Sequence, residues 1–513
     1  MHNIITCGMQ FGDEGKGTFG DYLLDKYNAS WIVLYNGGSQ ASHTVVRPDG
    51  KIHKFSQLGS GFFNDNVRLY IDSDRVINLD NLFTEIRVLS NKVNLSEANI
   101  FSRIYFNPAC MIVTPYHKLL NKLRELSLGK KRRGSVGTGV SEVTYLRYIS
   151  RIKYKNGIIY KKYGSLFLTV DEVLGKYRAL HRNEVIEKIK SLRNYVRDFY
   201  IKHQKQILEN MPYDMKQELY KEVSFLLLHE NRYMEIANSY FKKSDNLYEL
   251  YPDLCSRITL YKPWLKGIKK QVIIYEGSQG LLLDGKYGLR PNTTHLDTTN
   301  HKACKDAKMS EKTLSKRSDE DTFDIRKIGI AKAFYSRHGE GVFPTECVEL
   351  KESIIDENQE ETYWNGKIRF GWFDAVLFRY AQSINKVNEI FMSSLDKLDG
   401  IPQIKVCNSY KYKGAIDEQF KKIFSYYHDE QGNVIILDII HSCKNISRYL
   451  EECEPIYITV KGWEKAVSES NKGHKKTMSY ECRNYLQLIS SLIKIPITCI
   501  SYGPTKNEKM AIQ

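Results

Sequence analysis

Short, largely apolar runs that end in glycine or small polar residues recur along this chain, with helical patterns between them. The runs cover residues 3–7, 30–35, 67–71, 271–275, 328–334, 389–393, 404–406, 457–460 and 497–501. Unbroken apolar runs of this length describe strands covered on both faces, as in parallel sheets. Helical periodicity marks 79–88, 115–128, 373–384 and 480–493. This alternation predicts an α/β fold with a large, mainly parallel central sheet and flanking helices. Residues 178–243 break the pattern. They are rich in Lys, Glu, Leu and Tyr with Pro212 as the sole proline, and they predict two or three helices inserted into the core. Residues 306–324 are polar and charged and predict an exposed loop. The expected organisation is an N-terminal part of the core over 1–150, a mainly helical insertion over 151–268, and the rest of the core over 269–513.

Composition narrows the function classes. The 513 residues contain 76 Lys+Arg and 60 Asp+Glu, a net charge of +16. The excess is spread through Glu-mixed helical segments, which fits a solvated surface and anionic small substrates better than a nucleic-acid footprint. The ten cysteines form no CxxC pair, so a zinc ribbon or thioredoxin-like motif is unsupported. Cys7, Cys407 and Cys499 sit in apolar runs and read as buried thiols. There is no basic n-region before the first apolar run, and no run nears the roughly 18 residues of a membrane span. A soluble cytoplasmic protein is expected.

Two glycine-rich segments carry chemistry. Gly8-Met-Gln-Phe-Gly-Asp-Glu-Gly-Lys-Gly17 follows the first strand. Such a turn lets backbone N–H groups and a helix N-terminus approach phosphate oxygens. It is not a Walker A loop, because Gln10 and Gly17 occupy the positions of its first glycine and its Ser/Thr. Without other signals a tight turn explains it equally well. The acidic pair Asp13-Glu14 is the added signal, since a carboxylate in a phosphate loop repels phosphate unless it binds Mg²⁺ or takes a proton. Asn36-Gly-Gly-Ser-Gln-Ala-Ser-His-Thr44 closes a second strand with a histidine. Imidazole titrates near working pH, so His43 suits a general acid, and equally a surface loop.

These segments resemble the GxQWGDEGKGK and GGxNAGHT motifs of the adenylosuccinate synthetases. Further matches follow in family order. Tyr275-Glu-Gly-Ser-Gln-Gly-Leu-Leu-Leu-Asp284 resembles FEGAQGxxLD, and Pro291-Asn-Thr-Thr294 with Asp297-Thr-Thr299 resembles PYVTSxxTT. Tyr335-Ser-Arg-His-Gly-Glu-Gly-Val-Phe-Pro-Thr-Glu346 resembles YxTRVGxGPFPTE, and Gly371-Trp-Phe-Asp374 resembles GWxD. Ser394-Leu-Asp396 with Ile404-Lys-Val-Cys407 resembles TKLD…IKVC, Gly462-Trp463 the late GW, and Ser501-Tyr-Gly-Pro504 the SxGP.

The resemblance implies a P-loop-like GTP-binding architecture and a homodimer. It implies a GTP-dependent ligase that phosphorylates the 6-oxygen of IMP and displaces the phosphate with L-aspartate, with Mg²⁺ as cofactor. Asp13, Lys16, His43 and Gln279 take the catalytic positions, Asp13 as base and His43 as acid. GTP contacts fall on Gly12, Gly15, Lys16, Gly17, Ser42, Thr44, Asp396, Ser501, Gly503 and Pro504. The monophosphate contacts fall on Asp13, Gln40, Gly137, Gln279 and Thr294. Arg151, or Arg147 one turn earlier, matches the arginine that a partner subunit lends. Asp13 and the Ser42 carbonyl take the metal positions, and Lys367 and Arg369 those that hold aspartate.

The departures are specific. Gln40 replaces an asparagine, and Ser42 a glycine. Gly134-Ser-Val-Gly-Thr-Gly139 stands for GTTGRG, so Thr138 replaces an arginine, with Lys130–Arg133 just before it. In the aspartate loop, TTGRxRRxGW has become Tyr363-Trp-Asn-Gly-Lys-Ile-Arg-Phe-Gly-Trp372, and lysine lacks the bidentate fork of arginine. Ser394 replaces the lysine of TKLD, leaving GTP against ATP open. The alternatives are a 2-amino-2′-deoxyadenylosuccinate synthase acting on dGMP, or a GTP-binding module without synthetase activity.

Overall fold

The structure is a computed structural model that describes residues 2–39, 41–151, 162–266, 271–315, 324–354, 363–364, 366–469 and 476–512. Nine strands form the central sheet: β1 (His2–Gly8), β2 (Trp31–Leu34), β3 (Arg68–Ile71), β4 (Ile104–Phe106), β5 (Val272–Gly280), β6 (Asp324–Lys332), β7 (Glu389–Ser393), β8 (Ile497–Ser501) and β9 (Lys509–Ala511). Their spatial order is β9-β8-β7-β6-β1-β5-β2-β3-β4. Every neighbouring pair is parallel except β8 with β9. Ile4, Ile5 and Cys7 of β1 are at most 2% exposed, so the central strand has no polar face, as its sequence requires.

The helices end where local chemistry directs. Asn78 accepts from the Asn81 N–H (3.2 Å) at the start of Leu79–Val93. Asp374 accepts from the Leu377 N–H (3.0 Å) at the start of Ala375–Asn385. Ser479 accepts from the Cys482 N–H (3.3 Å) at the start of Tyr480–Ile493. Each supplies an acceptor for a first-turn N–H that has no partner inside its helix.

Two expectations change. The runs at 404–406 and 457–460 do form strands, but not in the parallel sheet. Gln403–Tyr412 and Cys453–Lys461 pair antiparallel in a separate five-stranded sheet. Their alternation of buried and exposed residues reflects one covered face. The charged run at 306–324 is not a loop over its first part: the His301–Ser315 helix includes it, burying Ala303, Ala307 and Ser310. Charge pattern alone hid that amphipathic stripe. The remainder, 316–323, lies outside the described residues. The insertion is helical, with Arg182–Asn210, Lys216–Val223 and Arg232–Leu250. Val185, Ile189, Leu192 and Val196 join the core that underlies the Pro115–Leu128 helix.

Candidate active site

Parallel strands bring their C-terminal ends to one edge, where an α/β sheet binds ligands. A cleft of about 620 Å³ opens there, lined by the loop after β1, the end of β5, Lys332 of β6 and Ser394 just past β7. The 8–17 loop turns sharply at its centre. Gly12, Asp13 and Gly15 all have positive φ, at 93°, 57° and 82°. Gly15 then starts the first helix, Lys16–Lys26, with no side-chain cap, and Gly15, Lys16 and Gly17 at that helix start line the cleft. A Cβ on Gly17 would lie 2.8 Å from the Thr44 carbonyl oxygen, so the two glycine segments meet with no room for a side chain.

Glu14 and Asp13, adjacent in sequence, do opposite things. Glu14 is fully buried and ion-pairs with Lys16. Its Oε1 also accepts from the N–H groups of Gln10 (3.0 Å) and Gly12 (2.9 Å). Glu14 thus ties the loop together. Asp13 points the other way, into the cleft, with its side chain 47% exposed and Oδ2 3.4 Å from His338 Nε2. Burial pushes its pKa up, but the His338 contact and the positive charges of Lys332 and Lys16 outweigh that and hold it at about 2. Gln10 braces the loop by accepting from the Lys332 N–H (3.0 Å) and donating to the Lys332 carbonyl (3.1 Å).

His43 sits opposite. Its Nδ1 makes a short contact with Glu276 Oε1, and its Nε2 has no hydrogen-bond partner among the described residues. Glu276 is 1% exposed on β5 and accepts from the Ser60 N–H (3.0 Å) and hydroxyl (2.9 Å). Burial raises the Glu276 pKa, and the charge of His43 with these bonds reverses the effect, so it is lowered overall. A carboxylate on Nδ1 fixes the tautomer and leaves Nε2 to act on a ligand. Three residues on, Gln279 has φ 62° and lines the cleft with its buried Oε1 unpartnered among the described residues.

Most of the residues singled out from sequence converge here. Gly12, Asp13, Gly15, Lys16, Gly17, Ser42, His43, Thr44, Gln279 and Thr294 all line the cleft. Gly137 lies between the lining residues Val136 and Thr138, near Trp364. Asp396 follows β7, and Ser501, Gly503 and Pro504 end or follow β8, at the same sheet edge. The Thr18 hydroxyl donates to the Pro504 carbonyl (2.7 Å), tying that segment to the first helix. Burial raises the Asp396 pKa, against the nearby Lys397. Arg147 donates to the Ser73 carbonyl (2.8 Å) and lies 3.5 Å from Asp74. Gln40 and the Arg151 side chain lie outside the described residues.

The aspartate side differs. Arg369 donates to the carbonyls of Gly339 (2.9 Å) and Gly341 (2.7 Å) and pairs with Glu346 (2.7 Å). Its fork braces a turn, and Lys367 is exposed; neither lines the cleft. Trp364, Arg133 and Arg337 do. Sequence reasoning missed Glu276, Ser60 and His338 as site residues, and singled out Glu14 only as half of the acidic pair. Glu276 had a signal, an acid inside an otherwise apolar strand. Ser60 had none.

For a divalent cation the cleft offers single carboxylates, with no group of three or more His, Cys, Asp or Glu among the described residues. Glu142 is held by Arg124 (2.7 Å), Glu125 accepts from two loop N–H groups (2.9 and 3.1 Å), and Glu14 is used by Lys16. Asp13 keeps an oxygen open in the cleft that Ser42 also lines. Mg²⁺ usually takes one or two carboxylates and completes its shell with phosphates and water, which this donor set matches.

The adenylosuccinate synthetase family model matches residues 5–510. The adenylosuccinate synthetase of Trichodesmium erythraeum is 28% identical, over 100% of this chain and 97% of its own. That of Aliivibrio fischeri is 28% identical, over 99% and 97%. Among solved structures, the fully ligated adenylosuccinate synthetase of Plasmodium falciparum has a TM-score of 0.65 at 20% identity, covering 99% of both chains. A cyanophage S-2L succinoaminodeoxyadenylate synthetase, bound to dGMP and dATP, has a TM-score of 0.50 at 15% identity, covering 99% of this chain and 95% of its own. These two likenesses concern the fold. No described helix is long and apolar enough to cross a membrane. A match that runs from the first strand to the last, through both glycine segments and the β5 motif, places this chain in the adenylosuccinate synthetase family.

Proposed function

We propose that this protein joins L-aspartate to C6 of IMP at the expense of GTP, giving adenylosuccinate, GDP and phosphate. The observation that carries the reading is the convergence of Asp13, Lys16, the His43–Glu276 pair and Gln279 on one cleft from three separate strand ends.

Asp13, ionised and open, takes the proton from N1, so that the 6-oxygen gains the electron density to attack the γ-phosphorus as the bond to the β–γ bridging oxygen breaks and GDP leaves. Lys16 and the N–H groups that begin the first helix neutralise the transferring phosphoryl group. His43, with Nδ1 held by Glu276, presents Nε2–H to that group and is the general acid; Glu276 balances the imidazolium charge. Gln279 hydrogen-bonds the purine edge. The aspartate amine then adds at C6, the C6–O bond breaks, and phosphate leaves. Mg²⁺, held by Asp13 and the Ser42 carbonyl, supplies charge neutralisation on the phosphates when bound. Acid–base groups of this kind contribute about 10²–10⁴ in rate each. Gly12, Gly15, Gly17 and Thr44 fit the triphosphate, and Asp396 with Ser501, Gly503 and Pro504 its guanine. A carboxylate matches the two donors that only guanine offers on that edge. Gln40, Gly137 and Thr294 fit the monophosphate, completed by Arg151 from the second subunit of a homodimer in the cytoplasm. Lys367 is the remaining charged candidate on the aspartate side.

The test is GDP release from purified protein with GTP, Mg²⁺, aspartate and IMP, compared with dGMP, for wild type and Asp13→Ala. IMP- and aspartate-dependent release that Asp13→Ala abolishes is expected. Release with dGMP alone selects the 2-amino product instead. Nucleotide binding with no aspartate-dependent turnover leaves a GTP-binding module.

A further inference from the structure

His338 stands where the YxTRVGxGPFPTE motif has valine, at the end of the Tyr335–His338 strand. The substitution puts an imidazole into the cleft. Its Nε2 lies 3.4 Å from Asp13 Oδ2, and its Nδ1 is buried without a partner among the described residues. The rest of the neighbourhood is fixed. Arg337 donates to the carbonyls of Val342 (2.6 Å) and Asn292 (3.0 Å), and Lys332 donates to the Ser336 hydroxyl (3.1 Å). Asp13 itself is held in a positive-φ turn that Gln10 and Glu14 brace from both sides. The imidazole therefore meets a carboxylate whose position is already set.

We infer that His338 is a specificity-determining residue that makes the nucleotide site select a 6-oxopurine without a 2-amino group. The inference rests on the reading of Asp13 as the group that meets purine N1. A carboxylate with both oxygens open accepts two parallel hydrogen bonds, and a guanine edge offers them from N1–H and the 2-amino group. Hypoxanthine offers N1–H alone. With Oδ2 facing His338, the other oxygen of Asp13 is the less contested acceptor for the purine, and the titrations are run without a divalent cation so that none shares it. Hypoxanthine is satisfied by that oxygen. Guanine brings a second donor towards the oxygen that already faces the His338 ring 3.4 Å away, so the 2-amino group and the ring N–H compete for Oδ2, and a donor left without its partner costs about 1–3 kcal/mol. A valine at 338 carries no donor and leaves Oδ2 open. His338 acts through Asp13, so it is a positioning residue.

Binding titrations test this without requiring turnover. The nucleotide pairs are IMP with GMP and dIMP with dGMP, each differing only in the 2-amino group. They are titrated by calorimetry into wild type, His338→Val and His338→Gln, with folding checked by circular dichroism. Wild type is expected to bind the 2-H member at least ten-fold more tightly in both pairs. His338→Val narrows the ratio ten-fold or more, whereas His338→Gln, which keeps an N–H donor, retains most of it. A simple packing role moves both members of a pair together and leaves the ratio alone. Equal binding of both members by wild type overturns the inference, as does an unchanged ratio in His338→Val or one that shifts towards the 2-H member. Discrimination that behaves as expected, without aspartate-dependent GDP release, overturns the proposed reaction and leaves this inference standing. No binding of any of the four nucleotides overturns both.

Discussion

The two sides of the cleft are built differently. On the side of the glycine loops, buried neighbours hold the loop and the histidine: Glu14 ties the loop N–H groups, Gln10 pins the loop to Lys332, and Glu276 holds His43. On the amino-acid side, the cation expected to grip a carboxylate is spent on Gly339, Gly341 and Glu346. One side is set before any ligand arrives, with no reorganisation needed at the moment of reaction. On the other, Arg369 builds the shape of a turn. Rate should therefore depend on the phosphate side, whereas changes around Arg369 should register first in stability.

The sharpest way to break that contrast is Asp13→Asn. The substitution keeps the size of the side chain and removes its basicity. On the phosphate side a loss of about 10³–10⁴ in kcat is expected, with KM for GTP changed less than ten-fold. Steady-state GDP release reads it. A loss under ten-fold would remove Asp13 from the chemistry and leave the resemblance of the loop as a binding likeness only.

The Pro115–Leu128 helix brings Asn121, Arg124 and Glu125 to the cleft wall. At its start His117 is completely buried, accepting from the Thr114 N–H (3.1 Å) at Nδ1 and donating from Nε2 to the Leu166 carbonyl (3.0 Å). That pattern is the neutral tautomer, and burial lowers its pKa to about 4 against the Leu166 bond. The unfolded chain takes up a proton near pH 6.5 that the folded chain refuses. Stability therefore falls as the pH drops from 6.5 to about 4, by up to about 3 kcal/mol from this group. His117→Gln should flatten that limb in thermal melts between pH 7 and 4.5. If this helix supports the whole cleft, aspartate-dependent turnover and nucleotide binding should be lost together along that limb. Separate losses would show that the two sides do not melt as one unit.

What the sequence disclosed follows the same divide. Asp13, Lys16, His43 and Gln279 were legible because glycine loops and polar residues at strand ends are local signals. The parallel core was legible because 3–7 and 271–275 have no polar face. Glu276 meets His43 across 233 positions, and no spacing rule encodes a partner that far away. The same limit hid the engagement of Arg369, whose acceptors lie on the neighbouring strand and turn. It hid the second sheet too, since the three residues 404–406 are too short to show the alternation of buried and exposed residues that Gln403–Tyr412 carries.

Glu276→Gln sharpens the comparison at an intermediate scale. The amide keeps the contact to His43 but cannot balance an imidazolium. A loss of about 10–100-fold in kcat is expected, with KM for IMP and GTP nearly unchanged, because the effect arises as charge develops on His43. A matching rise in KM would move Glu276 from catalysis to ground-state binding.

The smallest expected effect tests the amino-acid side itself. Arg369→Ala removes two bonds to carbonyls and an ion pair in which the Glu346 side chain is 38% exposed. Partly exposed pairs contribute about 0.2–1 kcal/mol, and hydrogen bonds from a charged donor about 1.5–3 kcal/mol each. The melting temperature should fall by a few degrees. Glu346→Gln should produce part of the same fall, and the double variant less than the sum of the two, because they share one interaction. KM for aspartate should rise less than about ten-fold in each. A rise of a hundred-fold in Arg369→Ala, with melting unchanged, would mean that the arginine leaves its turn when aspartate binds. Glu346 would then be a resting place for a substrate-binding fork, and the two sides of the cleft would differ in timing rather than in construction.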